Sequence, residues 1–133
     1  MENNWRQKTL ENLEKNVWSH SDSDSKLIKR TKELRKVPVG TFTTEDLRIM
    51  IGQEIGLNYL TPLALETLTS DLFAEGDFFE GDLLKNLLAI NTEFWNKNKN
   101  YWLTLNDLIK NRRAEIQENK FDTNNFDNCV HRL

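Results

Sequence analysis

The fold is decided by the stretch from Phe42 to Leu65, which reads FTTEDLRIMIGQEIGLNYLTPLAL. Apolar residues recur there every three or four positions, the spacing that places side chains on one face of a helix. The segment Phe42–Asp46 is typical of a helix N-terminus, because hydroxyls accept free amide N–H groups there and carboxylates meet the positive end of the dipole. We expect a helix to begin here and to end at Gly56 in the left-handed conformation that glycine tolerates.

The end of the same stretch predicts a buried helix. Thr61 would cap it, and Pro62 would occupy the first helical position, where the missing N–H costs nothing. Leu63, Ala64 and Leu65 follow one another, so this helix is apolar on more than one side. We therefore expect it to lie at the centre of the fold.

Elsewhere the chain repeats the helical periodicity and shows no evident strand pattern. The other predicted helices cover about residues 5–18, 26–36, 83–90, 92–95 and 102–119. We predict an all-α fold, a compact single-domain bundle of about six or seven helices in residues 1–121. Residues 122–133 carry few apolar side chains, so we expect a flexible C-terminal tail unless Phe126 docks on the core.

The composition excludes several classes of protein. The 133 residues carry a net charge of −3, whereas a general nucleic-acid binder would normally be basic. One cysteine, Cys129, and two histidines, His20 and His131, permit no disulfide framework and make a zinc site hard to assemble. No apolar run approaches the roughly 18 residues of a membrane span. We expect an intracellular protein with no metal, no cofactor and no membrane association.

Candidate catalytic residues are few. Cys129 and His131 are close in sequence, but they lack a third partner and fall in the predicted tail. His20 lies in a polar segment and is more simply solvated. We therefore expect that the protein is not an enzyme and has no small-molecule substrate.

An acidic segment with two aromatic residues, 75–82, reads EGDFFEGD. Its alternating acids are similar to those of a calcium loop, but Phe78 and Phe79 stand where such a loop needs oxygen ligands and a tight turn. Two interpretations remain open. Either the aromatic rings turn into the core while the acids cap the next helix, or the segment is an exposed contact for a basic partner.

A basic helix is predicted over residues 26–36, which contain six lysines and arginines. Such a cluster could bind phosphate, and a small nucleic-acid-binding regulator is therefore an alternative function. The serines and aspartates of residues 19–25 precede the helix and would offset its field. We favour a solvated helix face.

Two blocks of the sequence occur at a characteristic separation. Residues 45–65 follow the pattern EDLR..IGQ..GL.YL.PLAL, and residues 75–84 follow EGD(F/Y)..GDLL. A Leu-Glu helix ending in tryptophan precedes them, and Phe94-Trp95 follows them. Together they resemble the immunity proteins of bacterial contact-dependent growth inhibition (CDI) systems, up to about Trp102. The chain departs from that pattern at Phe79-Glu80, where tyrosine-proline is expected.

The resemblance implies a cytoplasmic protein that binds and neutralises the toxic C-terminal domain of a CDI adhesin. It implies further that the toxin domain is a nuclease, the common kind in such systems. We expect active-site occlusion, because exposed carboxylates would compete with nucleic acid for a basic groove. Binding away from the active site is the alternative, and no direct contact with nucleic acid is expected.

Immunity is specific for one toxin, so blocks shared across the family should hold the fold. Contacts with the toxin should come from other, polar positions. On charge and expected exposure, the candidate toxin-binding residues are Asp22, Asp24, Glu75, Asp77, Phe79, Glu80 and Asp82.

Overall fold

The structure is a computed structural model that describes residues 3–129. Within that range the chain forms nine α-helices, two short 3-10 helices at Trp5–Gln7 and Val39–Thr41, and no strand. The α-helices are α1 (Leu10–Glu14), α2 (Lys26–Leu34), α3 (Thr44–Gly52), α4 (Leu57–Ser70), α5 (Asp82–Leu88), α6 (Thr92–Lys97), α7 (Lys99–Lys110), α8 (Arg113–Glu118) and α9 (Asn124–Asp127). The predicted all-α class is confirmed. The predicted number of helices is too low because the predicted C-terminal helix is divided in two and α9 lies in the predicted tail.

The first helix is shorter than predicted. α1 begins after Thr9, whose hydroxyl accepts the N–H of Asn12, and ends at Lys15, which adopts a left-handed conformation. Beyond α1 the apolar side chain of Val17 is 69% exposed and does not pack on the core. The prediction of one helix over residues 5–18 is therefore wrong.

Arg35 of the predicted solvated face is buried instead. Its guanidinium donates to the Asn16 carbonyl and the Glu14 carboxylate and lies 4.1 Å from the centre of the Trp18 ring. These contacts attach the segment after α1 to the end of α2. By contrast, the apolar side chain of Leu27 on α2 is exposed.

The start of α3 agrees with the sequence. The Thr43 hydroxyl accepts the N–H of Asp46, and the Asp46 carboxylate accepts the N–H of Thr43, which together form a capping box. The end differs, because the left-handed residue that follows α3 is Glu54. Its carboxylate accepts both the backbone and side-chain N–H groups of Asn91, which ties α3 to the start of α6.

Gly56 is the N-cap residue of α4 and does not end α3. It has a φ of +67°, and a Cβ there would lie 2.8 Å from Cδ1 of Leu10. The predicted start at Thr61-Pro62 is wrong, since α4 begins at Leu57 and contains Pro62. Proline removes one helical hydrogen bond, to the carbonyl of residue 58, at a cost that buried neighbours offset. As expected, α4 is buried on several sides and packs against α3, α5 and α7.

The predicted helix over residues 102–119 is two helices, α7 and α8. Phe126 of α9 is fully buried, its ring 5.2 Å from those of Trp95 and Trp102, and its carbonyl accepts the Trp102 indole N–H at 2.7 Å. Phe126 therefore docks on the core. The flexible tail over residues 122–133 was expected only if Phe126 did not dock. The domain boundary at residue 121 stays a prediction, and His131 lies outside the described residues.

Candidate functional site

The acidic loop, residues 75–82, carries its aromatic side chains on the surface. Phe78 is 69% exposed and Phe79 is 43% exposed. The Phe78 ring centre lies 4.3 Å from the Arg48 guanidinium, and that of Phe79 lies 5.6 Å from the Lys85 ammonium. Of the two interpretations of the segment, this geometry favours an exposed surface over rings turned into the core.

Asp82 holds the loop from inside. Only 3% of this residue is exposed, and it begins α5. Its Oδ1 accepts the N–H of Gly76 at 2.7 Å, and its Oδ2 accepts those of Phe78 and Phe79 at 3.1 and 3.3 Å. Three backbone groups are thus satisfied by one buried carboxylate, so Asp82 acts on the loop and does not face solvent.

Glu45 of α3 supplies a fourth anchor. Its Oε1 accepts the N–H of Asp77 at 2.8 Å, and Arg48 donates to both of its oxygens at 2.6 Å. The bonds from Arg48 lower the pKa of the Glu45 carboxyl, and the Asp77 N–H acts in the same direction. A Cβ on Gly76 would lie 2.5 Å from Glu45 Oε1, so a larger residue there would displace the Glu45 carboxylate.

Three acids of the loop remain on the surface: Glu75, Asp77 and Glu80. Within residues 3–129, neither Glu75 nor Glu80 makes an ion pair or side-chain hydrogen bond. Several exposed glutamates elsewhere are paired, as Glu93 is with Lys97 at 2.8 Å. The acidic loop therefore combines a fixed backbone with uncompensated negative charge.

The other candidate acids lie on a different loop, before α2. Asp24 forms an ion pair with Lys32 at 2.6 Å and accepts the N–H of Ser21, and the Lys32 hydrogen bond lowers the Asp24 pKa. Asp22 is exposed. Of these two residues, Asp24 thus has its charge compensated within the protein.

The basic helix α2 is largely neutralised by neighbouring acids. Arg30 pairs with Glu33 and Asp46, each at 3.2 Å, and Lys36 pairs with Glu11 at 3.4 Å. With Lys32 and Arg35 also paired, the exposed α2 bases outside these ion pairs are Lys26 and Lys29. This arrangement favours the solvated-face interpretation over a phosphate-binding helix.

An open groove of about 600 Å³ lies beside the acidic loop. One wall comes from the loop and α5, and the other from residues after α8. The lining residues are Phe79, Glu80, Lys85, Leu88, Ala89, Asn119, Lys120, Phe121, Asp122 and Asn125. Sequence reasoning missed this groove because its second wall lies in the predicted tail and in the end of the predicted C-terminal helix.

The remaining candidates from the sequence do not assemble into a site. The Cys129 thiol is buried and donates to the Asn125 carbonyl, and burial raises its pKa. Across residues 3–129, no three His, Cys, Asp or Glu side chains are grouped so that they could hold a metal ion. None of the helices in the same range is long and apolar enough to cross a membrane.

The described chain is thus a helical domain with a fixed, exposed acidic loop. The sequence model of a family described as CDI immunity proteins matches residues 12–105. The match spans more than half of the chain, so this protein belongs to the CDI immunity protein family and has an immunity role in a toxin–immunity system. The resemblance read from residues 45–65 and 75–84 is confirmed. Neither the curated proteins nor the solved structures contain a match to the chain.

Proposed function

We propose that this protein binds and neutralises the C-terminal toxin domain of a cognate CDI adhesin, and that the acidic loop is the principal contact. The observation that carries the proposal is that exposed acids without ion-pair partners lie on a loop whose backbone is held by Asp82 and Glu45. A fixed loop loses little conformational freedom on binding, which favours affinity. Uncompensated charge also accelerates encounter with a basic partner.

The mechanism we favour is occlusion of a nuclease active site. A nuclease carries positive charge where it holds phosphate, and Glu75, Asp77 and Glu80 would occupy that position in place of the nucleic acid. Phe79 would add an aromatic anchor at the same contact. The protein would act stoichiometrically in the cytoplasm, without catalysis, cofactor or metal.

We propose a revised set of contact residues, supported by the contacts within the described chain. We retain Glu75, Asp77, Phe79 and Glu80 as direct contacts and Asp22 as a peripheral one. Asp82 is assigned the role of holding the loop, because its carboxylate is buried against backbone N–H groups. Asp24 is assigned to its ion pair with Lys32.

The test is co-purification and titration of the toxin domain with a loop variant and a matched control. Glu75→Lys with Glu80→Lys reverses two acids that have no partner in the described chain. Glu93→Lys with Asp107→Lys makes the same change in net charge on α6 and α7. We expect the loop variant to bind at least about tenfold more weakly, mainly through slower association, and the control to bind like the wild type.

The same titration separates the two modes of inhibition. If the active site is occluded, substrate and immunity protein compete for the toxin. In either mode, expression of the protein restores growth of cells that produce the toxin. Binding without competition would support the remote-site alternative. Wild-type affinity in a folded loop variant would exclude the acidic loop as the contact.

A further inference from the structure

The groove beside the acidic loop is a built feature of the fold. Phe121 packs against Phe73 with 5.7 Å between ring centres, and it also lies against Gly81. A Cβ on Gly81 would come 2.5 Å from Cζ of Phe121, and Gly81 has a φ of +89°. The two walls of the groove are therefore joined by direct packing at one end, so its shape is fixed before any partner binds.

Lys120, on the second wall, has an unusual backbone conformation. Its φ is +61°, in the left-handed region that glycine favours. The N–H of Phe121 donates to the Ile116 carbonyl and that of Lys120 to the Gln117 carbonyl, which is the Schellman pattern that ends α8. Glycine is the common residue at this position, so a lysine here costs stability.

Nothing within residues 3–129 accounts for this lysine. Lys15 and Glu54 also have left-handed conformations, but the Glu54 side chain is bound to Asn91 and Lys15 does not line the groove. Lys120 makes no ion pair or side-chain hydrogen bond in the described chain. A strained residue without a structural partner that lines a groove is a candidate for contact with another molecule.

We propose that the groove binds a bulky apolar side chain of the toxin, with a neighbouring toxin carboxylate against Lys120. This inference rests on the proposed function and extends it to a second contact. The groove has apolar surface from Leu88, Ala89 and Phe121, and its volume accommodates an aromatic ring. Apolar anchors in such pockets dominate the energetics of many protein interfaces.

Continuity and position argue for the toxin as the occupant. Phe79 and Glu80 belong both to the acidic loop and to the groove, so a partner on the loop reaches the groove without a gap. The second wall, residues 119–125, lies outside the segment that matches the family, 12–105. This wall is therefore where we expect selectivity for one toxin over another to reside.

The first test fills the groove. Ala89 is exposed at the end of α5, so Ala89→Trp places a large side chain in the groove without disturbing the core. Leu103→Trp on α7 is the control, since Leu103 is exposed and does not line the groove. We expect Ala89→Trp to weaken toxin binding about 100-fold and the control to leave it unchanged.

The second test separates binding from stability, and it can be used even if Ala89→Trp fails to fold. Lys120→Gly and Lys15→Gly each place glycine at a left-handed position after a helix, and both should raise Tm by about 2–4 °C. Only Lys120→Gly should weaken toxin binding, by about tenfold. A purely structural lysine would show the rise in Tm without the loss of affinity.

The outcomes distinguish this inference from the proposed function. Loss of binding in the Glu75/Glu80 variant, with full binding in Ala89→Trp and Lys120→Gly, would overturn the groove contact alone. Absence of toxin binding by the wild type would overturn both. If Ala89→Trp changes the oligomeric state in solution but leaves toxin affinity unchanged, the occupant of the groove is a second copy of the chain. That result would overturn the proposal.

Discussion

The acidic loop and the segment 19–25 both carry acids on the surface, but they use them differently. The backbone N–H groups of the acidic loop are bound by the carboxylates of Asp82 and of Glu45 on α3. Glu75 and Glu80 are therefore left without partners in the described chain. In the segment 19–25, Asp24 itself binds the local N–H of Ser21 and a lysine. Separate residues thus hold the acidic loop and charge its surface, which leaves its charge free for a partner.

The largest expected loss of stability follows from substitution of Asp82. Asp82→Ala would leave three loop N–H groups without their acceptor, and we expect the free energy of unfolding to fall by about 4 kcal/mol. Asp82→Asn should lose less, because the amide oxygen still accepts. Urea unfolding of both variants, beside Asp24→Ala, measures the difference between the two acidic segments. Equal losses at residues 82 and 24 would mean that Asp82 holds its loop no more strongly than Asp24 holds the segment 19–25.

Substitution of Arg35 tests residues 14–18, which precede the segment 19–25. Arg35→Ala removes a fully buried guanidinium from Glu14 and from the Trp18 ring, and we expect a loss of about 3 kcal/mol. Hydrogen exchange should show that residues 14–18 lose protection. The folded fraction should still bind toxin with wild-type affinity, since the acidic loop is untouched. A parallel loss of affinity would place the N-terminal segment at the toxin contact.

The anchoring by Glu45 should depend on pH. Its pKa is lowered in the folded state, so the carboxylate stabilises the fold above its unfolded pKa of about 4.3, and this contribution is lost as pH falls through the lowered value. We expect Glu45→Gln to cost about 1 kcal/mol at pH 7. Below about pH 4 the difference in stability between variant and wild type should shrink, as thermal unfolding at several pH values can show. A constant difference would mean that the charge of Glu45 has no part in the anchor.

Local chemistry explains which parts of this fold could be predicted. The start of α3 follows from Thr43 and Asp46 alone, because a capping box involves only neighbouring residues. The end of α3 depends on Asn91 and the start of α4 on contact with Leu10, and neither is visible in a local pattern. Prediction therefore succeeded at the capped start and failed at the two boundaries made by distant residues.

The candidate site divides in the same way. The sequence identifies the acidic loop by composition, but composition cannot tell that Asp82 turns inward while Glu80 stays exposed. That difference arises because Asp82 begins α5 beneath the loop, where it meets the N–H groups of Gly76, Phe78 and Phe79. The groove depends on residues 119–125 returning to the loop, which only tertiary packing reveals.

The smallest expected changes in stability are those of the exposed acids in the two segments. Asp22→Lys and Glu80→Lys should each change the free energy of unfolding by less than about 0.5 kcal/mol, because both side chains are exposed. Their association rates with the toxin should differ, since only Glu80 lies on the proposed principal contact and on the groove. We expect Glu80→Lys to slow association about fivefold at low salt and Asp22→Lys to slow it less than twofold, with both effects reduced at high salt. Equal slowing in stopped-flow measurements would mean that the toxin responds to the net charge of the protein and that the acidic loop has no special place in recognition.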